Sequence, residues 1–359
     1  MKYAIYRGTA TNIGEEVQSI AAQRFLPTVD YYITKEQMNR FQSEEKTKLI
    51  MNAWYMERTK SFPPRDCVDP LLISMHFNVK CRDAMLSKKE SVEFFKKHGP
   101  VGCRDMSTKK WLEDNNIPAY FSGCLTSTLL PNEYLRKKYP EKYILCVDCH
   151  DAIIDYVKKK ANYPVYPLSK HVNPAIETAD RMEIAKAFLF FYQNAYCVIT
   201  TNLHTAIPCL AFNTRVCLID RKFPPTHFAV GRFDGMEDYF NKETEENFLA
   251  GGYDFNNPPE NPRAFEKTRD GLIEKCREFT GYDSNKPALD DAFNPAYALI
   301  SSVSRKHVGD GFNKNIIRAM YFAKEKDIRK MLWLKKLRKV NQHDIRGDRY
   351  LEWSEFFKK

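Results

Sequence analysis

The sequence predicts an α/β protein with largely parallel sheets, built from two Rossmann-like halves that meet at a cleft. Short apolar runs rich in β-branched and aromatic residues alternate with segments of helical periodicity along most of the chain. The length of 359 residues exceeds one typical hydrophobic core. The alternation restarts near residue 143, after a charged stretch that contains proline. We therefore predict an amino-terminal domain at 1–135, a second α/β domain at 140–285 and a helical basic extension at 286–359.

The elements of the first half follow from this alternation. A glycine-containing turn separates the first strand from a helix that carries Val17, Ile20 and Phe25 on one face. Asp105 or Ser107 can cap a later helix. Strands are predicted at 3–6, 29–33, 48–54, 71–77, 100–103 and 119–122, and helices at 15–25, 88–97 and 105–115.

The second half repeats the pattern with longer apolar runs. Its strands are predicted at 143–148, 163–166, 196–200 and 216–220, and its helices at 151–160, 177–193, 203–212 and 263–280. Proline, glycine and asparagine between residues 223 and 262 predict loops there, with a mobile flap as one interpretation. The prediction of parallel strands places the carboxyl ends of the second sheet at one edge.

The chain from Ala187 to Thr214 contains no Asp, Glu, Lys or Arg, and its length raises the question of a membrane span. Gln193, Asn202 and Pro208 argue against one, since polar groups and a helix break need protein partners in hydrocarbon. The amino terminus lacks the pattern of a signal peptide. Ten cysteines without a regular framework then predict reduced thiols in a cytoplasmic protein.

The positive charge of the chain is concentrated at its end. From Ser301 to Lys359 there are 16 Lys or Arg against 7 Asp or Glu, whereas the whole chain carries a net charge of +10. A basic amphipathic helix at 316–340 predicts peripheral contact with an anionic membrane surface at the inner face of a membrane. The alternative is a helix packed on the domain with a solvated basic face. No nucleic-acid-binding module is recognised, so charge alone predicts no nucleic-acid partner.

His204 lies at a position where α/β proteins bind ligands. The apolar strand at 196–200 ends in Thr-Thr-Asn, and the helix that follows begins at Leu203. His204 is therefore expected in a first helical turn at the mouth of a crevice, where free backbone N–H groups and the helix dipole attract anions. The alternative is a hydrogen-bonded core histidine.

Several stretches together resemble the polysaccharide pyruvyl transferase family. The segment "RMEIAKAFLFFYQNAYCVITTNLHTAIPCLAFNTRVCLI" is similar to the family's helix, "A..VIT" strand, "RLH" triplet and "A.PCLA...PV" element. "NIGEEVQSIAAQ", "GPVGCRDMSTKKWLEDNNIPAYFSGCLTSTL" and "YPLSKHV" resemble further elements in the same order. The resemblance spans about residues 3–220. Asn202 replaces the family's arginine, and Glu15 replaces its aspartate.

The resemblance implies a GT-B-like pair of domains that moves pyruvate from phosphoenolpyruvate to two hydroxyls of a sugar in a polysaccharide or glycan precursor, forming a ketal. Phosphoenolpyruvate is then a co-substrate, and no other cofactor is implied. A donor with a carboxylate and a phosphate needs clustered cations and anion-binding backbone. The second domain is predicted to be the donor side of the cleft, and the predicted donor-binding residues are Arg104, Lys170, Arg181, Asn202 and Arg215.

Proton transfer is assigned to histidine, because imidazole can act as an acid or a base near neutral pH. His204 is the predicted general acid or base, and His171 is a second proton-transfer or phosphate-binding group. Contacts to the acceptor, a sugar or a lipid-linked glycan, are assigned to the first domain. The predicted acceptor-binding residues are Asn12, Gly14, Glu15 and Gln18.

Structural roles are open alternatives for many of these residues. Arg181 could pair with an acid on its own helix, Arg104 with Asp105, and Arg215 could serve the strand that it precedes. Asn12 or Thr11 could cap a helix.

Two other functions stay open. One is a metal-independent GT-B-like glycosyltransferase that uses a nucleotide sugar, and the other is a carbohydrate-binding relative without catalysis. The sequence contains neither an Asp-x-Asp pattern nor a glycine-rich phosphate loop. Cys146, Cys149 and His150 form a Cys-x-x-Cys-His string, but the second cysteine pair that a zinc site would need is missing. No metal site is predicted.

Overall fold

The computed structural model describes residues 1–55, 59–172, 174, 176–221, 227 and 230–295. Within them the protein is a mixed α/β structure, and every pair of neighbouring strands in its sheets is parallel. The predicted α/β class with parallel sheets is confirmed. The greater part of the predicted basic extension, residues 296–359, lies outside the described residues.

The first half, up to residue 138, alternates short strands with helices. Its strands are β1 (Lys2–Arg7), β2 (Tyr31–Thr34), β3 (Thr47–Ile50), β4 (Trp54–Tyr55), β5 (Val68–Leu71), β6 (His76–Phe77), β7 (Val101–Cys103) and β8 (Ala119–Phe121). Its α-helices are α1 (Gly14–Gln23), α2 (Arg82–Leu86), α3 (Lys89–His98), α4 (Met106–Asp114) and α5 (Glu133–Lys138). Short 3-10 helices lie at Lys35–Arg40, Thr59–Ser61, Val79–Cys81 and Leu125–Thr128.

These strands form one four-stranded sheet, in the order β2-β1-β3-β5, and two parallel pairs, β4-β6 and β7-β8. Backbone hydrogen bonds connect the pieces: Gly102 N–H donates to the Leu72 carbonyl at 2.9 Å, and Arg104 N–H donates to the Met75 carbonyl at 2.8 Å. The carboxyl ends of β6 and β7 are thereby held side by side.

The second half has a five-stranded parallel sheet, in the order β10-β9-β11-β12-β13. Its strands are β9 (Ile144–Val147), β10 (Val165–Leu168), β11 (Cys197–Thr200), β12 (Arg215–Asp220) and β13 (Asn241–Thr244). Its helices are α6 (Asp151–Lys160), α7 (Thr178–Asn194), α8 (Leu203–Ala211), α9 (Glu245–Leu249) and α10 (Glu266–Thr280), with a 3-10 helix at Glu237–Tyr239. All residues of β9 and β11 are buried, as expected for central parallel strands that helices cover on both faces.

The two halves share backbone contacts and an ion pair. Residues Asn12 and His171 form an antiparallel bridge, flanked by hydrogen bonds from Ile13 N–H to the Lys170 carbonyl and from Val172 N–H to the Thr11 carbonyl. Arg181 on α7 forms a buried ion pair with Glu16 on α1, with Nε and Oε1 2.5 Å apart. The largest apolar cluster also contains side chains from both halves. The predicted domain limits stay a prediction.

Most predicted elements are present, and the differences have local causes. The single strand predicted at 71–77 is broken between β5 and β6, where Ser74 has a left-handed φ of 53°. Likewise, the strand predicted at 48–54 divides into β3 and β4. The predicted loops at 223–262 contain β13 and α9, which the pattern missed because β13 is a polar edge strand.

Two further predictions from the sequence concern the redox state of the cysteines and the question of a membrane span. All ten cysteines are free thiols, and eight of them are buried, as expected for small core residues. No helix in the described ranges is both long and apolar enough to cross a membrane.

Candidate functional site

Buried basic side chains from both halves converge at the edge of the second sheet where its strands end. Asp148 follows β9, Lys170 follows β10, and Asn202 with His204 follows β11. Because neighbouring parallel strands end at the same edge, these residues share one side of the sheet. Arg104 follows β7 in the first half. It lies close enough to His204 that its charge lowers the pKa of the imidazole.

His204 lies in the first turn of α8, as predicted, but it is not at an open mouth. Only 2% of the residue is exposed, and its Nδ1 is buried with no hydrogen-bond partner among the described residues. The start of α1 covers it: a Cβ placed on Gly14 would lie 2.9 Å from His204 Cβ. The expected position at the mouth of a crevice is therefore wrong, because α1 packs directly against the imidazole.

The surroundings of His204 are strongly positive. Burial lowers its pKa well below the usual 6.5, and Arg104, Lys170 and Arg232 act in the same direction. The imidazole is consequently neutral at pH 7 in the protein alone. An anion bound among these cations would offset them, so it would favour protonation of His204.

The cations have little protein countercharge within the described residues. Arg104 is 1% exposed; its Nε lies 3.9 Å from Asp105 Oδ2, and its Nε and Nη1 lack hydrogen-bond partners. Lys170 Nζ is likewise buried without a hydrogen bond, 3.9 Å from Asp148 Oδ2. Arg232 Nε is a third buried donor of this kind. Unpaired buried donors are costly, so this cluster is suited to a ligand with several acceptor oxygens.

Asp148 organises the second half of the cluster. Its Oδ1 accepts a hydrogen bond from Lys170 N–H at 3.1 Å, and its Oδ2 accepts one from Asn202 Nδ2 at 2.9 Å. Asn202 precedes α8, but its side chain makes no capping hydrogen bond to the helix. Burial lowers the pKa of Lys170 to about 8, with Asp148 opposing and Arg232 reinforcing the shift. Lys170 therefore places a titrating cation near the same carboxylate oxygen that Asn202 contacts.

Arg232 comes from the turns between β12 and β13 and reaches across to the first half. Its guanidinium lies over the Trp54 ring, 5.4 Å from the centroid. The same segment packs on the start of α4, where Met106 N–H donates to the Asp234 carbonyl. Burial lowers the pKa of Arg232 to about 10, and the neighbouring Arg104 contributes.

A second histidine, His76 at the start of β6, also belongs to the cluster. Its Nδ1 donates to Asp105 Oδ2 at 2.5 Å, and its Nε2 is buried and accepts or donates no hydrogen bond within the part of the chain that the structure describes. Asp105 in turn accepts a hydrogen bond from Thr108 N–H and so caps α4, which confirms one of the two predicted caps. His76 contributes to the pKa shift of His204.

Two predicted donor-binding residues have other contacts. Arg181 is engaged by Glu16 and also donates to the Ala10 carbonyl at 2.8 Å, so its acid lies on α1 and not on its own helix. Arg215 opens β12 at the amino-terminal edge, opposite the edge that carries His204, and pairs with Glu260 at 3.0 Å. The donor-binding prediction for Arg215 is wrong for this reason.

His171 and Asn12 lie on the connection between the halves. His171 is exposed, and its Nδ1 is 3.3 Å from the Thr11 hydroxyl. Asn12 Oδ1 accepts a hydrogen bond from Gly14 N–H at 2.9 Å, which stabilises the turn into α1. A catalytic role for His171 and sugar contacts for Asn12 stay predictions.

The other predicted acceptor-binding residues are engaged by protein groups. Gln18 is buried and exchanges hydrogen bonds with the backbone carbonyl and side chain of Asn52. Glu15 forms an ion pair with Lys35. Gly14 has no left-handed φ, and its lack of a side chain allows the close approach of α1 to His204.

The sequence reasoning missed His76, Arg232 and Asp148 as parts of the site. Asp148 follows the apolar strand β9, which is a usable signal in an α/β protein, whereas His76 begins the two-residue strand β6. Arg232 stands in "VGRFDG", within a segment predicted as loop, and no periodicity indicates which way such a residue points.

Two surface cavities lie outside this cluster. One of about 400 Å³ is lined by residues of the first half, among them Thr9, Lys35, Glu36 and Tyr55. The other, of about 560 Å³, lies against α10 and includes Arg24 and Arg269. Among the residues that the structure describes, no three His, Cys, Asp or Glu side chains are arranged to hold a metal ion.

A protein family matches part of the chain. The polysaccharide pyruvyl transferase family matches residues 85–222, a segment that contains Arg104, Lys170 and His204 but covers less than half of the chain. The resemblance seen in the sequence is thereby confirmed for this segment, and with it the transferase class. No curated protein matches the chain.

Solved structures show only distant similarity. An uncharacterised protein from Klebsiella pneumoniae is 13% identical, with 62% of this chain and 84% of that chain covered and a TM-score of 0.39. One structure of the wall teichoic acid polymerase TagF is 9% identical, with 88% and 89% covered and a TM-score of 0.36. A second TagF structure is 12% identical, with 92% and 90% covered and a TM-score of 0.37.

Replacing Gly14 with alanine should disturb the cluster. The new methyl group would lie 2.9 Å from His204 Cβ and 3.0 Å from Asn12 Oδ1, so we expect a loss of about 1–3 kcal/mol in the free energy of unfolding. Gly271→Ala in α10 is the matched control, since among the described residues no atom outside its own stretch of helix lies within 4 Å of the new Cβ, and the helix should gain up to about 1 kcal/mol. Urea unfolding measures both, and equal effects would contradict the close packing of α1 on His204.

Anion binding should weaken as pH rises through the pKa of Lys170. Sulfate does not titrate near neutrality, so a change in its affinity with pH reports a change in the charge of the protein. The affinity for sulfate should fall between pH 7 and 9, approaching about tenfold per pH unit once Lys170 deprotonates. Calorimetry of Lys170→Met should show weaker binding without this slope, whereas the exposed Lys110→Met control should keep it. An affinity that is constant over this range in the unaltered protein would contradict the assignment.

Proposed function

We propose that the protein transfers pyruvate from phosphoenolpyruvate to two hydroxyls of a sugar in a polysaccharide or glycan precursor, forming a ketal and releasing phosphate. The observation that carries the proposal is the group of buried, unpaired donors on Arg104, Lys170 and Arg232 around His204. The family match over residues 85–222 supports the same reaction.

The charge of the donor fits this cluster. Phosphoenolpyruvate carries a carboxylate and a phosphate, whose oxygens accept several charge-assisted hydrogen bonds. Arg104 offers a planar fork with buried Nε and Nη1, and Lys170 offers a compact ammonium group. The same cations would stabilise the charge that develops on the departing phosphate.

Asn202 stands where related sequences have arginine, but a cation is close by. Its amide donates to Asp148 Oδ2, the atom that also lies 3.9 Å from Lys170 Nζ. We infer that Lys170, together with Arg232, supplies the charge that Asn202 lacks. Phosphoenolpyruvate as co-substrate, without a further cofactor, follows from this proposal.

His204 is the proposed acid or base because its imidazole lies among these cations and its Nδ1 has no protein partner. A histidine in this role moves protons between the donor's methylene carbon, the sugar hydroxyls and solvent. The low pKa of His204 in the free protein makes its protonation depend on the bound anion.

The wider setting follows from the sequence. We propose that the halves act as a GT-B-like pair, with the acceptor on the first half and most donor contacts on the second. Peripheral contact with the inner face of an anionic membrane through the basic tail, and a lipid-linked acceptor, are part of the same proposal. The cytoplasm is the proposed location of the rest of the chain.

Incubation with phosphoenolpyruvate and a panel of p-nitrophenyl hexosides should release phosphate and give a product heavier by pyruvate less water. Arg104→Met should reduce turnover by about 10²–10³-fold, because it removes donors aimed at the developing charge. The turnover of His204→Ala should fall by at least the same factor. Arg215→Met removes the same charge at the opposite edge of the sheet and should leave turnover within about threefold.

Other outcomes would contradict pyruvyl transfer. Thermal stabilisation by nucleotide sugars but not by phosphoenolpyruvate would favour a glycosyltransferase. Sugar binding without turnover of any donor would indicate a binding protein. Full transfer activity in both His204→Ala and Arg104→Met would remove the cluster from the mechanism.

A further inference from the structure

His76 and Asp105 form a buried pair that the sequence reasoning did not assign to the reaction. The His76 imidazole is 1% exposed, and its Nδ1 donates to Asp105 Oδ2 at 2.5 Å. Asp105 is itself fixed, because its Oδ1 accepts Thr108 N–H at 2.9 Å. This arrangement holds the ring's Nδ1 proton in place and leaves a lone pair on Nε2 in the neutral ring.

The free nitrogen of His76 belongs to the cationic cluster. Nε2 is buried, and no group of the described residues forms a hydrogen bond with it. The charged or titratable groups that act on this ring are Asp105 and Arg104 after β7 and Arg232 from the turns before β13, and the ring in turn acts on His204 in α8. The Trp54 ring packs edge-on against the imidazole, 5.8 Å from its centroid. A histidine with only a structural role would be expected to have both ring nitrogens paired.

We propose that His76, oriented by Asp105, is a second proton-transfer residue of this site and takes up a proton when an anionic donor binds. The destination of that proton rests on the proposed pyruvyl transfer. Uptake of the proton depends only on anion binding, so the two parts can be tested separately.

Proton balance in ketal formation gives two histidines distinct tasks. Two sugar hydroxyl protons are removed, one proton forms the new C–H bond at the donor's methylene carbon, and one leaves with phosphate. In the first step the His76 imidazolium gives its Nε2 proton to the methylene carbon, while a sugar oxygen bonds to the central carbon and its proton passes to His204.

The second step restores both residues. The bond from the central carbon to the phosphate oxygen breaks, and the phosphate takes the proton from His204. The second sugar oxygen bonds to the same carbon, and its proton returns to His76 Nε2. No oxidant, reductant or further reactant is needed.

Donor binding can supply the first proton because it reverses the local electrostatics. In the free protein, burial lowers the pKa of His76 to about 4; Asp105 opposes the shift, whereas Arg104 and Arg232 reinforce it. An anion that neutralises the two arginines leaves Asp105 as the nearest charge, and a carboxylate favours the imidazolium.

Proton uptake is measured by titrating sulfate into the protein in buffers of different ionisation enthalpy near pH 6.5. The unaltered protein should bind protons with sulfate. His76→Asn keeps a donor for Asp105 and should lose about half of the uptake or more, while sulfate affinity changes by less than about threefold. Asp105→Asn keeps the acceptor for Thr108 and should also reduce uptake. His150→Asn, at an exposed histidine paired with Glu245, is the control and should match the unaltered protein.

Turnover of phosphoenolpyruvate provides the second readout. His76→Asn should reduce kcat by about 10²-fold or more with little change in KM, as for loss of a positioned acid or base. Turnover within threefold of the unaltered protein would overturn the proposal.

The binding readout decides the remaining cases. If proton uptake on sulfate binding depends on His76 but the unaltered protein does not turn over phosphoenolpyruvate, the proton site is supported and pyruvyl transfer is contradicted. Absent sulfate binding, or uptake unchanged in His76→Asn, would overturn the proton site itself.

Discussion

The site depends on positive charge held out of water. Arg104, Lys170 and Arg232 are gathered around His204, and within the described residues their nearby acidic partners are Asp105 and Asp148. Burying ionised groups without full pairing is unfavourable, and the rest of the fold has to compensate for it. An anion with several oxygens would relieve this cost, so the stability of the cluster and its ligand preference have one origin. The low pKa values of both buried histidines follow from the same charges.

The compensation comes from parallel sheets and close packing between the halves. Fully buried strands fix the ends from which Asp148, Lys170 and Asn202 extend. The antiparallel bridge at His171 and the buried Arg181–Glu16 pair hold α1 against the second half. Gly14 then allows α1 to approach His204 closely enough to exclude water from one side of the imidazole. Residues predicted as ligands, such as Arg181 and Gln18, thus help to position the site.

Local signals in the sequence were sufficient for much of the fold. The helix at Asp151–Lys160 and the apolar strand before His204 were readable because their periodicity is strong and their ends carry clear signals. The polar edge strand β13 and the break between β5 and β6 were not, since pairing partners and backbone geometry decide them. For the site, His204, Lys170 and Arg104 could be selected from the sequence because each of them follows a predicted strand. Chain order could not indicate that Arg215 lies at the wrong edge or that His76 and Arg232 approach from distant segments.

A crystal structure of the protein soaked with phosphoenolpyruvate would test most directly whether the cationic cluster binds the donor. We expect density for the ligand among the buried nitrogens, with its phosphate and carboxylate oxygens within hydrogen-bond distance of Arg104 and Lys170 and its methylene carbon beside an imidazole. Density for the ligand elsewhere, with the side chains around His204 unmoved and still without ligand contacts, would contradict binding of the donor by this cluster.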